Sequence, residues 1–149
     1  MDKFKSINQI TLKEMSQYIV HKCIEDKHYI SPIRLQQILI CIMYEYRKRS
    51  QIIFKEEKVN WIPIIPRYDS IYYEYGMYGV MPIFFQIAPC ELNIVPNDKA
   101  IVDGIIKSKR GLADWDMADE IRKISKKVKV CKAHRCVVYR YIKGEFYYG

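Results

Sequence analysis

Apolar residues recur at helical spacing twice in the first third of the chain. Leu12, Met15, Ile19 and Cys23 step by three and four, which gathers them on one helix face. A start signal precedes them in Thr11-Leu12-Lys13-Glu14. There the Thr11 hydroxyl can accept from the amide of residue 14, and the Glu14 carboxylate can reach back to the Thr11 amide. Ile10 and Met15 stand where a hydrophobic staple needs them. A first helix is expected from here to about residue 27, where "HYISP" breaks the pattern. Ser31 and Pro32 then form an N-cap and first-turn pair for "PIRLQQILICIMYEYRKR". Ile33, Leu35, Ile38, Leu39, Ile42, Met43 and Tyr46 cover much of this second helix, so it is expected to be the central buried one. Arg47, Lys48 and Arg49 close it, where cations suit the negative end of the helix dipole.

Past residue 50 the period changes. "QIIF" and "KVNW", separated by "KEE", are short and β-prone and predict a small β-arm near 51–61. Pro63 and Pro66 fix two φ angles and push the preceding residues toward extended geometry. Residues 61–66 therefore read as a stiff, non-helical strut. Tyr68, Ile71, Tyr72 and Tyr75 are helically spaced, with Gly76 as the expected C-cap. Residues 77–96 read as an apolar loop containing one strand-like piece, "IFFQI". Asp98 is expected to cap a helix through about Ser108, and Asp114 another, "RGLADWDMADEIRKISKK", with Met117, Ile121 and Ile124 as its buried stripe. In the tail "VKVCKAHRCVVYRYIKGEFYY", apolar and basic positions alternate and Lys143-Gly144 resembles a turn. The expected fold is α+β: a mostly helical single domain over 1–149, with the short β-arm and a small antiparallel β-hairpin or meander at the C-terminus. The basic tail, 126–149, would pack on this domain or extend from it.

Charge sharpens this picture. Residues 1–120 hold 16 Lys/Arg against 16 Asp/Glu, whereas 121–149 hold nine basic residues against Glu145 alone. The whole net charge of +8 thus belongs to the last fifth of the chain, and such a segment suits phosphate or an acidic partner. Lys126, Lys127, Lys129, Lys132, Arg135 and Arg140 are interleaved with Tyr139 and Tyr141. Cations beside aromatics make a workable nucleic-acid surface, and the same cations would serve an acidic protein. No window of 18 residues is free of charge, so no membrane span is expected. Five irregularly spaced cysteines and an N-terminus without an apolar leader fit reduced thiols in a cytoplasmic protein.

Reactive constellations are sparse. His21 lies two residues before Cys23, on a different helix face. Cys131, His134 and Cys136 offer three ligands from one short segment, where structural zinc wants four from two pairs. Asp114, Asp116, Asp119 and Glu120 suit a helix start without a metal. Nucleophile-elbow and phosphate-loop motifs are absent from the sequence. No catalytic residue, metal or cofactor is expected.

Three segments carry a resemblance. "PIRLQQILICIMYEY" has an apolar-Gln-polar-apolar-apolar core at Leu35-Gln36-Gln37-Ile38-Leu39. Trp61, Pro63-Ile64-Ile65-Pro66 and Tyr75-Gly76 follow in order, and then Leu112-Ala113-Asp114-Trp115-Asp116-Met117. Together these resemble the blocks of the Panacea domain family, which includes SocA-like antitoxins and phage-associated GepA-like proteins. Asp69 stands where that family usually has an aromatic, and Arg122 lies near the place of a typical histidine. The resemblance implies a non-enzymatic protein-interaction module of phage, viral or mobile-element origin, which binds and neutralises a toxin partner. Trp61, Pro63, Pro66, Tyr72 and Trp115 are the expected partner-binding residues. A viral counter-defence protein that inhibits a host nuclease or defence complex is the alternative, as is a nucleic-acid binder using the basic tail.

Overall fold

Five helices carry the chain in the order α1 (Leu12–Glu25), α2 (Pro32–Lys48), α3 (Asp69–Glu74), α4 (Pro96–Arg110) and α5 (Asp114–His134). The computed structural model describes residues 4–62, 65–86 and 91–134, with side chains through Val128 in the last segment. Single 3-10 turns at Ile7–Gln9 and Gly76–Tyr78 complete the regular structure. Among the described residues no helix is long and apolar enough to cross a membrane.

The expected starts of α1 and α2 form through their side chains. Thr11 Oγ1 accepts from the Glu14 amide at 3.1 Å, and the Thr11 amide donates to Glu14 Oε1 at 2.9 Å. Ser31 Oγ accepts from the Arg34 amide at 3.2 Å, with Pro32 as the first helical residue. Helix α2 is the centre of the molecule and packs against α1, α3, α4 and α5. Its Leu35, Ile38, Leu39, Ile40 and Ile42 are sealed from water, and each such side chain contributes about 1.5–3 kcal/mol.

The expected β-arm near 51–61 is a turn. Ile53 and Phe54 are both buried although adjacent in sequence, whereas neighbours on a strand point to opposite faces. Phe54 has φ of 55°, which reverses the chain, and its ring meets Tyr68 edge-on at 6.1 Å. The only ladder contacts among the described residues are isolated bridges, Lys5–Ile94, Ile30–Ile83 and Asn60–Arg67. The strand-like "IFFQI" likewise reduces to Ile83 pairing with Ile30, its last residue, Ile87, lying outside the described residues.

The expected β-rich tail from 126 is also corrected. Helix α5 continues to His134, so Lys126, Lys127, Lys129, Cys131 and Lys132 are helical rather than strand residues. Val128 extends the stripe of Met117, Ile121 and Ile124, and all four are buried. Neither proline nor glycine interrupts the run, so burial at helical period prevails over local alternation. Residues 135–149, with Arg135, Arg140 and the proposed turn, lie outside the described residues.

Two helix starts differ from expectation. Helix α4 begins at Pro96, with Val95 in the N-cap position. Proline suits the first turn because its missing N–H would be idle there. Asp98 is therefore inside the first turn, where its Oδ1 accepts from the Tyr46 hydroxyl at 2.7 Å. Asp114 is the first residue of α5 rather than its cap, and its carboxylate meets Arg34 at 2.8 Å.

Candidate functional site

The segment after the double proline is built outward from two paired residues. The Asn60 amide donates to the Arg67 carbonyl at 2.7 Å, and the Arg67 amide returns the bond at 3.0 Å. The ends of 61–66 therefore meet, and the expected strut is a closed loop. Within it Trp61 is half-buried against the core, Pro66 is buried, and Pro63 lies outside the described residues.

Tyr68 follows as the fixed point of the segment. Its amide donates to Gln36 Oε1 at 2.9 Å, while Gln36 Nε2 donates to its carbonyl at 3.0 Å. Both backbone groups are buried, and burial without a partner would be costly. Gln36, itself buried in α2, thus holds the start of α3 in one register. From that start Ile71 and Tyr75 turn inward, while Tyr72 and Tyr73 turn outward.

The outward side is aromatic and apolar. The Arg67 guanidinium lies over the Tyr72 ring at 3.7 Å and donates to Asp69 at 3.0 Å. Tyr73 meets Tyr72 edge-on at 5.4 Å and is 73% exposed. The 3-10 turn next raises Met77 into solvent at 86% exposure, and Gly79, at φ of 58°, reverses the chain so that Val80 is 80% exposed. Gly79 alone in this turn takes the left-handed geometry that favours a residue without Cβ. Phe84 and Phe85 continue the exposed surface. Tyr78 braces them from behind, its hydroxyl donating to the Phe85 carbonyl at 3.1 Å and its ring meeting Phe84 at 6.5 Å. The base is anchored by the Ile83 amide donating to Ile30, and by Gln86 Nε2 donating to the Gln17 carbonyl at 3.0 Å.

This surface is contiguous in sequence, and past the exposed Glu74 it carries no charge of its own. Between Glu74 and Glu91 the chain has no charged residue. Of the residues expected to meet a partner, Tyr72 lies on it, whereas Trp61 packs against the core and Pro66 is buried. Trp115 projects from α5 instead, at 76% exposure. Lys126 and Lys127 are exposed on α5, and Lys129 and Lys132 are backbone members of the same helix.

The sequence reads as a loop over 77–96, and the exposed surface within it was not foreseen. The signal available was the charge-free run with several aromatics, which a core loop and an exposed surface share. Among the described residues no group of three His, Cys, Asp or Glu converges as a metal set. Cys23 and Cys41 are free and buried, and burial pushes the Cys41 thiol up to about 12. No family model, curated protein or solved structure matches this chain.

Proposed function

We propose that the protein is a non-enzymatic interaction module that binds and neutralises a protein partner in the manner of an antitoxin, through the aromatic surface of Tyr72–Phe85. The observation that carries this reading is the exposure of Tyr73, Met77, Val80, Phe84 and Phe85 on a segment anchored at Gln36, Ile30 and Gln17. Exposed apolar patches of this kind mark interaction sites, and anchored aromatics lose little entropy on binding. The absence of charge from Tyr75 to Cys90 suits an apolar partner surface. The segments that resemble the Panacea family also meet one another. Gln36, in the first, grips the root of the aromatic helix, and Arg34 beside it binds Asp114 in the third.

The test is co-expression with the product of an adjacent gene, followed by affinity capture. A stable stoichiometric complex that relieves the toxicity of that product is expected. Tyr73→Ala with Phe84→Ala should weaken it by about 2 kcal/mol or more, as hot-spot truncations do, with an unchanged melting temperature. A complex indifferent to both substitutions, or retention on lipid vesicles in place of a protein, would overturn the reading.

A further inference from the structure

Trp115 and the cations of α5 share one side of the helix. In helical register Trp115, Asp119, Arg122 and Lys126 form one row, with Lys123 and Lys127 beside it. The buried Met117, Ile121, Ile124 and Val128 lie on the opposite side. Most carboxylates near this face are already engaged. Asp114 is held by Arg34, Glu120 by Lys109 at 2.8 Å, and Asp119 by Arg122, leaving Asp116 at the helix start. Lys123, Lys126 and Lys127 are exposed and meet no carboxylate among the described residues. The sequence from Ile121 onward also carries the entire excess of positive charge.

An indole that is 76% exposed on the same side of the helix as Lys123, Lys126 and Lys127 contributes little to packing. We propose that this outer face of α5 binds single-stranded nucleic acid. Trp115 stacks on a base, and Lys123, Lys126 and Lys127 neutralise phosphates. Stacking on a protein ring needs an unstacked base, which favours a single strand over a duplex. An acidic protein would satisfy the lysines but would leave the indole face without a planar partner. Nothing on the face is arranged to read base edges, so binding is sequence-tolerant and driven by stacking and counterion release. The proposal concerns a different element from the aromatic surface of α3 and does not depend on it.

The full chain is titrated with oligo(dT) of about 16 nucleotides, the upper end of a single-domain site. The protein has two tryptophans, so Trp61→Phe leaves Trp115 as the sole indole reporter. Circular dichroism checks that each variant folds. Quenching of Trp115 is expected, with affinity that falls as salt rises by a log–log slope of about −0.7 per phosphate neutralised. Trp115→Ala should lower affinity roughly tenfold at an unchanged melting temperature. Lys126→Gln with Lys127→Gln should flatten the slope by about 1.4. Tyr73→Ala with Phe84→Ala should leave oligo(dT) binding intact. Failure to bind at low salt, full affinity in Trp115→Ala, or equal affinity for duplex DNA would overturn the proposal. Preference for poly-glutamate over oligo(dT) would assign the face to an acidic protein instead.

Discussion

Gln36 is a buried polar residue in a helix whose Leu35, Leu39 and Ile40 are buried too, and its amide spends both functions on Tyr68. Gln36→Leu preserves approximate size but removes a donor and an acceptor together. The Tyr68 N–H is then left buried without its partner, at about 1–3 kcal/mol, while its carbonyl loses one of two donors and keeps the Tyr72 amide at 3.0 Å. A clear drop in the unfolding midpoint is expected in denaturant titration; an unchanged midpoint would mean that water reaches the Tyr68 N–H. Arg34 does comparable work two residues earlier in the same helix. Its guanidinium donates to the carbonyls of Lys109 and Arg110 and to the Asp114 carboxylate. It thus closes the negative end of α4 and ties it to the start of α5. Tyr18 and Tyr46 donate to Asp103 and Asp98 on α4, and burial together with these carboxylates raises both phenols above their ordinary range. Each polar residue was visible in the sequence as an exception to the apolar pattern. Its partner, tens of residues away, was not, because nothing local encodes which distant backbone group needs a bond.

Helix starts and helix ends differ in how openly they are written. The start of α1 uses the Thr11–Glu14 box and that of α2 the Ser31-Pro32 pair, both within a few residues. Their ends have no glycine. The His28 amide donates to the Cys23 carbonyl at 2.8 Å, with Lys27 at φ of 56° between them. The Gln51 amide donates to the Tyr46 carbonyl at 2.8 Å, with Ser50 at φ of 63°. These are the closing bonds of a left-handed helix terminus, where glycine is the favoured residue. Lys27→Gly and Ser50→Gly are each expected to raise stability by about 1 kcal/mol, read as a higher melting temperature. A loss in either would show that side-chain contacts outweigh backbone strain there. The expected β-arm and β-tail give way at this same scale. Two short β-prone strings and an alternating tail carry local preference, and the burial of Phe54 and Val128 selects turn and helix instead.

For the whole molecule, acid sensitivity follows from carboxylates tied across elements. The Thr11 amide, with Lys5 adding its charge, holds the Glu14 carboxyl below its ordinary value. Arg110 does the same for Asp26, joining the end of α4 to that of α1 at 2.8 Å. Because both folded-state pKa values lie below the unfolded ones, their stabilisation is complete above the ordinary carboxylate range. It is lost as pH falls through the depressed values. Melting temperature should therefore decline below about pH 4, and Asp26→Asn should flatten that limb; an identical acid profile would show that the ion pair adds nothing. Short-range pattern determined the long helices, the starts of α1 and α2, and the central place of α2, since capping and periodicity are settled within a turn or two of chain. The tertiary structure alone decided that 51–61 turns, that α5 runs on, that the ends of 61–66 meet, and that Met77, Val80, Phe84 and Phe85 face water. Those outcomes depend on which surfaces remain uncovered once the helices have packed, and that balance of burial is a property of the assembled molecule rather than of any stretch of it.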